Sequence, residues 1–292
     1  MVAREKRRGT ERTIDEVTSR MSALTPRRQE LVRPLFENPR DFVLLSIRGA
    51  SEKLGTDGAF LLRTIKQLGF ASYPAFKRFL HELAISNATS LERMQEHAQG
   101  PDSVASVLRA TMERSMQNLA ALRNTIDLGR VRAVAARLHG ARRIILLAND
   151  LAATLSGYLE YQLTVLGLPV VTATGSGRTV HLLRTANAND VVFAISFRRG
   201  LRATIEGLKE AHAKKAYCIG VTDTSISPVA RFSDEYFVAS IEGASLRSSY
   251  VAPLAFADIL IAACATSKRE LMMTLLEDAS EEQKSGYRWY KA

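Results

Sequence analysis

The spacing of apolar residues changes character near residue 130. Before that point they recur every three or four positions, as at Leu61, Ile65 and Leu68, which is the period of an α-helix with one buried face. After it, short apolar runs alternate with segments of helix length, a pattern that predicts βαβ units and a parallel sheet with helices on both faces. The predicted strands are the runs at 143–148, 169–174, 190–196, 216–222 and 235–240. The pattern predicts a multidomain protein, in which an all-α domain precedes an α/β domain.

Capping residues and glycines set the predicted helix limits in the first half of the chain. Thr25 followed by Pro26 indicates a helix start, and Gly69 indicates a helix end. The predicted helices lie at about 25–37, 46–55, 57–68, 74–83 and 101–125. The second and third are joined by a tight turn at Gly55, which is the layout of a helix-turn-helix.

The second helix of this pair has the sequence pattern of a DNA-recognition helix. Its apolar residues form one face, and the opposite face would enter the major groove. There, Arg63 could donate to a guanine edge and Lys66 suits a phosphate. Phe60 would either press on thymine methyl groups or belong to the core. The predicted DNA-binding residues are Ser46, Arg48, Thr56, Asp57, Ala59, Phe60, Arg63 and Lys66.

The charge distribution supports a nucleic-acid partner for this half. The chain carries a net charge of +10, and residues 1–80 hold 16 Lys/Arg against 9 Asp/Glu. Residues 1–10 are predicted to be a basic arm. A dense basic excess at one end favours a module that binds double-stranded DNA, the alternative being a basic but inert surface.

Cysteine usage and hydropathy bear on the compartment. Cys218 and Cys264 are too few for a disulfide framework or a zinc site, and they fit a reducing environment. The stretch MVAREKRRGTERT lacks the apolar segment of a secretory signal. The most apolar run, 251–265, contains Asp258 and is too short to span a bilayer. We therefore expect a cytoplasmic protein with no membrane partner.

Two runs carry a family resemblance: LTPRRQELVRPLFENP at 24–39, and SIRGASEKLGTDGAFLLRTIKQLGFASYPAFKRFL at 46–80. They resemble the N-terminal domain of the RpiR/MurR family of bacterial transcriptional regulators, although that family usually has a small hydroxyl residue where Phe60 stands. The resemblance implies a helix-turn-helix domain (1–85) and a SIS (sugar isomerase) domain (129–267) with a five-stranded parallel sheet in an αβα sandwich. A hinge and linker helix (86–128) and a C-terminal helix and tail (268–292), with Trp289, complete the predicted organisation.

Open parallel sheets bind ligands beyond the carboxyl ends of their strands, so four loops are candidates for an effector site. The run AISFRRG places Arg198 and Arg199 at the end of the third strand, where SIS domains usually hold phosphate with hydroxyls. An arginine pair suits a phosphate or a carboxylate, while a solvated loop or a partner surface is the alternative. The predicted effector-binding residues are Asn149, Asp150, Ser176, Ser196, Arg198, Arg199, Ser245 and Ser248.

Some of these residues have structural alternatives. Asp150 would either cap the following helix, which we favour, or accept a ligand hydroxyl. Ser248 or Ser249 could cap the helix that follows the fourth loop. Residues 174–179, with two glycines and a serine, are expected to form an ordinary surface turn.

The residues that could support catalysis are few. The five histidines are scattered without metal-ligand spacing, and Glu242 is an isolated candidate base. We therefore predict a DNA-binding regulator that senses a small anionic metabolite, not an enzyme, with no cofactor and with self-association as a dimer or tetramer. The apolar stripe on helix 101–125 suits core or dimer packing. The alternatives are a SIS-type sugar-phosphate isomerase or etherase, and a constitutive DNA-binding protein with an empty SIS domain.

Overall fold

The computed structural model describes residues 14–86, 104–198, 200–244 and 247–285. These residues form two compact units. The first holds the chain up to Val107 together with Thr224–Ser227 and Arg247, and the second holds the rest. The predicted basic arm, nearly all of the hinge at 86–100, Arg199, Ser245 and Trp289 lie outside the described residues. The domain limits given above stay predictions.

The described part of the first unit is helical. Its helices are α1 (Ile14–Ser22), α2 (Pro26–Glu37), α3 (Arg40–Val43), α4 (Ile47–Lys53), α5 (Gly58–Gln67) and α6 (Tyr73–Ser86). Helix α2 starts at Pro26 as predicted, but the Thr25 hydroxyl makes no capping hydrogen bond among the described residues.

Helices α4 and α5 confirm the predicted pair. The Ser46 hydroxyl accepts from the Gly49 N–H at 3.2 Å, and the Asp57 carboxylate accepts from the Phe60 N–H at 2.7 Å. Gly55 between the helices and Gly69 after α5 have φ of +64° and +96°, a region that glycine enters without steric cost. Both helices therefore begin and end where the sequence indicates.

An aromatic cluster forms the centre of this unit. Phe36, Phe70, Phe76 and Phe79 pack mostly edge to face, with ring centroids 5.1–6.5 Å apart. The Tyr73 hydroxyl donates to the Leu45 carbonyl at 3.2 Å, and burial raises the pKa of this phenol. This bond fixes the start of α6 against the turn that precedes α4.

The second unit is an α/β sandwich. Its helices are α7 (Val104–Thr125, whose first turn falls in the first unit), α8 (Leu128–His139), α9 (Ala152–Val165), α10 (Ser176–Arg184), α11 (Arg202–Ala213), α12 (Pro228–Arg231), α13 (Val251–Ser267) and α14 (Arg269–Ser285). Its strands are β1 (Arg143–Ala148), β2 (Val170–Ala173), β3 (Asp190–Ile195), β4 (Tyr217–Thr222) and β5 (Glu235–Val238). All five strands lie within the predicted runs.

The sheet is parallel throughout, in the order β2-β1-β3-β4-β5. Successive residues of β1 serve opposite layers: Ile144 and Leu146 pack with α8, α9 and α13, whereas Ile145 and Leu147 pack with α10, α11 and α12. A strand buried on both faces must be apolar at every position, which explains the unbroken run RIILLA. The predicted fold class, an all-α region followed by a five-stranded αβα sandwich, is confirmed.

Two local predictions in this unit were wrong, and one alternative is excluded. The run at 174–179 is not a surface turn: Gly175 is the N-cap of α10 and Ser176 its first residue. Helix α9 has Leu151 at its N-cap, so Asp150 does not cap it. Helix α13 has Tyr250 at its N-cap, so neither Ser248 nor Ser249 does so.

Within the described residues, no one helix is long and apolar enough to cross a membrane. Helix α13 and the first turns of α14 reach that length and composition together, but they are bent by 100° where they meet.

Candidate DNA-binding surface and effector site

The exposed face of α5 is the candidate DNA-binding surface. Leu61 and Ile65 on its other face are fully buried, while Ala59, Arg63 and Lys66 are exposed. A capped helix that presents a guanidinium and an ammonium group to solvent suits the major groove, where these groups reach guanine edges and phosphates. The structure therefore places Arg63 and Lys66 on the face that the sequence predicted.

Phe60 is neither a free groove-facing side chain nor a core residue. Its ring is half-buried, and the Arg27 and Arg28 guanidinium carbons lie 5.6 and 5.3 Å from its centroid. Arg28 also donates to the Gln67 side chain at the other end of α5. The Phe60 ring thus holds two arginines of α2 beside the candidate surface. A small hydroxyl residue is usual at this position in the RpiR/MurR family. Sequence reasoning missed both arginines.

The remaining predicted DNA-binding residues lie around the turn. Ser46 and Asp57 cap α4 and α5, so their side chains position the helices. Arg48 is exposed on α4. Thr56 is half-buried, and its N–H donates to the Ser51 carbonyl at 2.9 Å. Arg48 is the member of this group with a cation available for phosphate.

The candidate effector site lies at the carboxyl edge of the sheet. The strand order reverses between β1 and β3, so the loops that follow these strands lead to opposite faces of the sheet, and open parallel sheets bind ligands at such a point. Asn149 after β1 bridges this point, because its side-chain amide donates to the Thr204 hydroxyl on α11 at 3.0 Å. The two loops are thereby held at a fixed separation.

Arg198 is the central cation of this site. Its backbone is left-handed, with φ of +59°, and its N–H donates to the Asp223 carboxylate at 2.7 Å. Its guanidinium Nη2 donates to the Ser248 hydroxyl at 2.9 Å. Asp223 directly follows β4 and Ser248 precedes α13, so one arginine joins three loops of the sheet edge. Arg199 lies outside the described residues.

The surroundings of Arg198 are a mixture of carboxylates and aromatic rings. Burial raises the pKa of Asp223, while the Arg198 N–H and charge oppose that shift. Tyr250 packs edge to face on Phe197 at 5.3 Å, and burial, together with the charges of Asp150 and Asp223, raises its pKa to about 12. A ligand held here would meet a cation, hydroxyls, carboxylates and an aromatic wall.

The other predicted effector residues have mixed placements. Ser196 is buried, and its hydroxyl accepts from the Leu201 N–H at 3.1 Å, so it shapes the loop. Asp150 is exposed with φ of +56°. Ser176 is exposed in the first turn of α10, after β2. Ser245 lies outside the described residues.

Sequence reasoning missed Asp223, Thr204 and Tyr250. Asp223 had a signal, since it is the first polar side chain after the buried strand β4, whose following loop was not among the four considered. Thr204 is the third residue of α11 and Tyr250 precedes α13, and no motif marks either position.

The family model of the SIS domain matches residues 137–263. Two curated relatives are both described as uncharacterized HTH-type transcriptional regulators. One, from Thermotoga maritima, is 21% identical over 236 residues, which are 80% of this chain and 84% of the relative. The other, from Clostridium perfringens, is 24% identical over 194 residues, which are 66% of this chain and 69% of the relative.

Two solved structures have a similar fold. The sugar isomerase domain of an RpiR transcription factor from Sphaerobacter thermophilus is 24% identical and covers 59% of this chain and 96% of its own, with a TM-score of 0.56. The Vibrio vulnificus NanR protein complexed with ManNAc-6P is 18% identical and covers 94% of this chain and 99% of its own, with a TM-score of 0.57. The resemblance to RpiR-type regulators, with a SIS domain in the C-terminal part, is confirmed.

Proposed function

We propose that this chain, with its SIS domain and its likeness to HTH-type regulators, is a transcriptional regulator that binds duplex DNA and senses a small anionic metabolite. The observation that carries the proposal is the combination of an exposed cationic face on α5 with Arg198 at the ligand edge of the SIS sheet. The cationic face alone would also fit a basic but inert surface, and the arginine alone would also fit an enzyme.

The DNA-binding part rests on α5 and its neighbours. Arg63 and Lys66 supply a base contact and a phosphate contact, and the arginines that flank Phe60 add cations beside them. Non-specific binding then depends on the number of phosphates neutralised, and base contacts add sequence preference.

Binding to duplex DNA tests this part. We expect Lys66→Ala to lower affinity on every sequence and to reduce the salt dependence by about one phosphate contact. Arg63→Ala should instead relax sequence preference at one base pair, at a cost of about 1–3 kcal/mol. Arg78→Ala, which removes an exposed cation from α6, is the matched control. Affinities can be measured by fluorescence anisotropy after selection of a preferred site from random duplexes. Equal losses in all three variants would contradict the assignment of α5.

The sensing part rests on Arg198. The Ser248 hydroxyl is a neutral partner, and a phosphate or carboxylate would form stronger, charge-assisted hydrogen bonds with the same guanidinium. The partly exposed Asn149 amide and the nearby carboxylates would form hydrogen bonds with hydroxyls of such a ligand. We therefore propose that the effector carries one anionic group together with polar hydroxyl or amino groups.

Thermal stabilisation tests this part with inorganic phosphate, phosphosugars and hydroxycarboxylates as probes. A ligand at 100 times its Kd should stabilise the folded protein by about 2.7 kcal/mol. Arg198→Gln should remove the response, whereas Arg184→Gln, an exposed arginine at the far end of α10, should keep it. If no compound of these classes stabilises the wild type, the result would favour the alternative of a constitutive DNA-binding protein with an empty SIS domain.

One observation favours a second candidate, a sugar-phosphate isomerase. Asp223 is a carboxyl group whose pKa is raised by burial at the ligand edge, as a general acid or base requires. Its Oδ1 already accepts from the Arg198 N–H, which assigns it a role in holding the loop. Turnover of phosphosugars that is lost in Asp223→Asn would support the enzyme, and its absence in a protein that binds the same compounds would support the sensor.

Self-association completes the proposal. Most of the apolar stripe on α7 is exposed, including Leu108, Met112, Met116 and Leu119, while Leu122 near its end is buried. An apolar helix face of this length is costly in water and suits a second copy of the chain. Paired chains would present two recognition helices to a DNA site of two-fold symmetry.

A further inference from the structure

The fold brings together three side chains that no sequence motif connects. His212 ends helix α11, Cys218 is the second residue of β4, and Asp234 directly precedes β5. Each residue offers one atom that can bind a metal. These atoms are an imidazole nitrogen, the thiol sulfur and a carboxylate oxygen, and they all lie within 4.8 Å of one another. The cluster is at the amino edge of the sheet, opposite the candidate effector site.

We propose that His212, Cys218 and Asp234 form a binding site for a single zinc ion, with a fourth coordination position open to solvent. Thiolate, imidazole and carboxylate are the donors that zinc takes in proteins, and sites with three protein ligands leave one position for water. This proposal is independent of the DNA-binding and effector proposals, since it uses other residues and the other edge of the sheet.

The geometry of the cluster leaves one Asp234 carboxylate oxygen and the His212 Nδ1 atom in a position to bind a metal. Asp234 Oδ2 accepts from the Cys218 N–H at 2.7 Å, which fixes the carboxylate and leaves Oδ1 for a metal. The His212 Nδ1 atom is 3.9 Å from Oδ1, too far for a hydrogen bond. In a tetrahedral site with Zn–N and Zn–O bonds of about 2.0–2.1 Å and a Zn–S bond of about 2.3 Å, donor atoms lie about 3.3–3.6 Å apart. The atoms here lie within 4.8 Å of one another, so a contraction of about 1–1.5 Å completes the site. His212 and Asp234 are exposed and can make that movement.

An open cavity of about 340 Å³ reaches His212 and Asp234 from solvent, whereas Cys218 is fully buried just behind its lining. Its lining includes His212, Asp234 and Ala216, the residue whose carbonyl lies 3.5 Å from the Cys218 sulfur. Two cations, Arg137 and Lys215, also line it and oppose binding of a metal ion. The Arg137 guanidinium lies over the Tyr217 ring at 4.4 Å, which stabilises that charge in place. Thiolate and carboxylate together balance the two charges of zinc.

Proton exchange accompanies binding. Zinc would form a bond to sulfur as the S–H proton leaves to solvent, and its affinity should therefore rise with pH. The thiolate and imidazole donors disfavour Mg²⁺ and Ca²⁺, which prefer oxygen ligands.

Cobalt titration of the reduced, metal-free full-length protein tests the site. We expect a near-ultraviolet thiolate-to-Co²⁺ charge-transfer band that Zn²⁺ displaces and Mg²⁺ does not. Cys218→Ser should abolish the band, whereas Cys264→Ser, the matched change at the other buried cysteine, should keep it. His212→Ala should weaken Co²⁺ binding more than the roughly 10- to 100-fold loss typical of removing an outer-shell partner.

A second measurement tests the site without the Cys218→Ser variant, whose substitution of a buried residue could prevent folding. His212 is exposed, so His212→Ala is expected to fold, and His181→Ala on α10 is its control. Zn²⁺ should raise the Tm of the wild type and His181→Ala, and leave that of His212→Ala unchanged. A wild type without the charge-transfer band, or a Zn²⁺ effect on Tm that His212→Ala retains, would overturn the proposal.

Discussion

At the scale of single residues, the ligand edge of the sheet is held by unusual backbone geometry. Asp150 and Arg198 are non-glycine residues in the left-handed region, at the ends of the β1 and β3 loops. Such conformations cost about 1–3 kcal/mol each and persist where surrounding contacts fix them. Here the fixing contact is the bond from the Arg198 N–H to Asp223, which aims the arginine side chain at Ser248.

Gly200 tests how tightly this loop is constrained. Its φ is +72°, and a Cβ at this position would lie 2.9 Å from the Ile205 Cδ1. We expect Gly200→Ala to destabilise the protein by about 1–3 kcal/mol in urea-induced unfolding. Gly177→Ala is the control, because it lies in open space in α10, where alanine should be neutral or stabilise by up to about 1 kcal/mol. Equal stability of both variants would show that the loop adapts.

Asp190 provides a prediction on pH. Its carboxylate is buried and accepts from Arg142 at 2.6 and 2.9 Å and from the Asn187 N–H at 3.1 Å. Burial alone would raise its pKa, but these donors outweigh burial and lower it. Because the folded-state pKa lies below the unfolded one, its contribution to stability is present above the unfolded value and is lost as pH falls through the folded value.

Asp190→Asn should accordingly destabilise the protein at neutral pH by on the order of 2–3 kcal/mol, since two arginines lose a charged partner. The difference from wild type should begin to shrink below about pH 4, where Asp190 of the unfolded chain takes up a proton, and should vanish only below the lowered folded-state pKa. Urea titrations at several pH values measure this. A difference that is constant with pH would mean that packing and not charge is lost.

At the scale of elements, the sequence predicts helices and strands from their repeating patterns. It does not predict contacts between residues that are far apart in the chain. All five strand runs were identifiable because a strand buried on both faces needs apolar residues throughout. The capping prediction for Asp57 was correct because it depends on residues three apart. The placement of Arg27 and Arg28 beside Phe60 depends on the packing of α2 against α5, which no local pattern contains. The zinc ligands likewise meet only in the folded sheet.

Helix α7 carries the prediction on assembly. Met112 and Met116 are each 69% exposed on its apolar stripe. Met112→Glu/Met116→Glu should shift the protein toward the monomer, because carboxylates would be buried without partners in a paired interface. Ala110→Glu/Gln117→Glu adds the same charge on the opposite, exposed face and should leave the assembly unchanged. Sedimentation velocity measures both, and a wild type that is monomeric at all concentrations would refute the proposal.

At the scale of the whole molecule, the question is whether effector binding and DNA binding are coupled. The fold could be predicted because domain order follows from the change in hydrophobic period. The coupling between the two binding events could not be predicted. It depends on the relative free energies of two conformations of the protein, and not on a single folded structure. It is nevertheless measurable, since thermodynamic linkage makes it reciprocal.

We expect an anionic effector to change the affinity for duplex DNA by about 5- to 150-fold, and DNA to change the affinity for the effector by the same factor. Anisotropy with and without a saturating effector, and calorimetry with and without DNA, give the two numbers independently. In Arg198→Gln the effector should no longer change the affinity for DNA. The DNA affinity measured without effector should be kept, because the arginine lies at the sheet edge and not on α5. Effector binding that stabilises the wild type but leaves DNA affinity unchanged would separate the two activities and reject sensing as the role of the SIS domain.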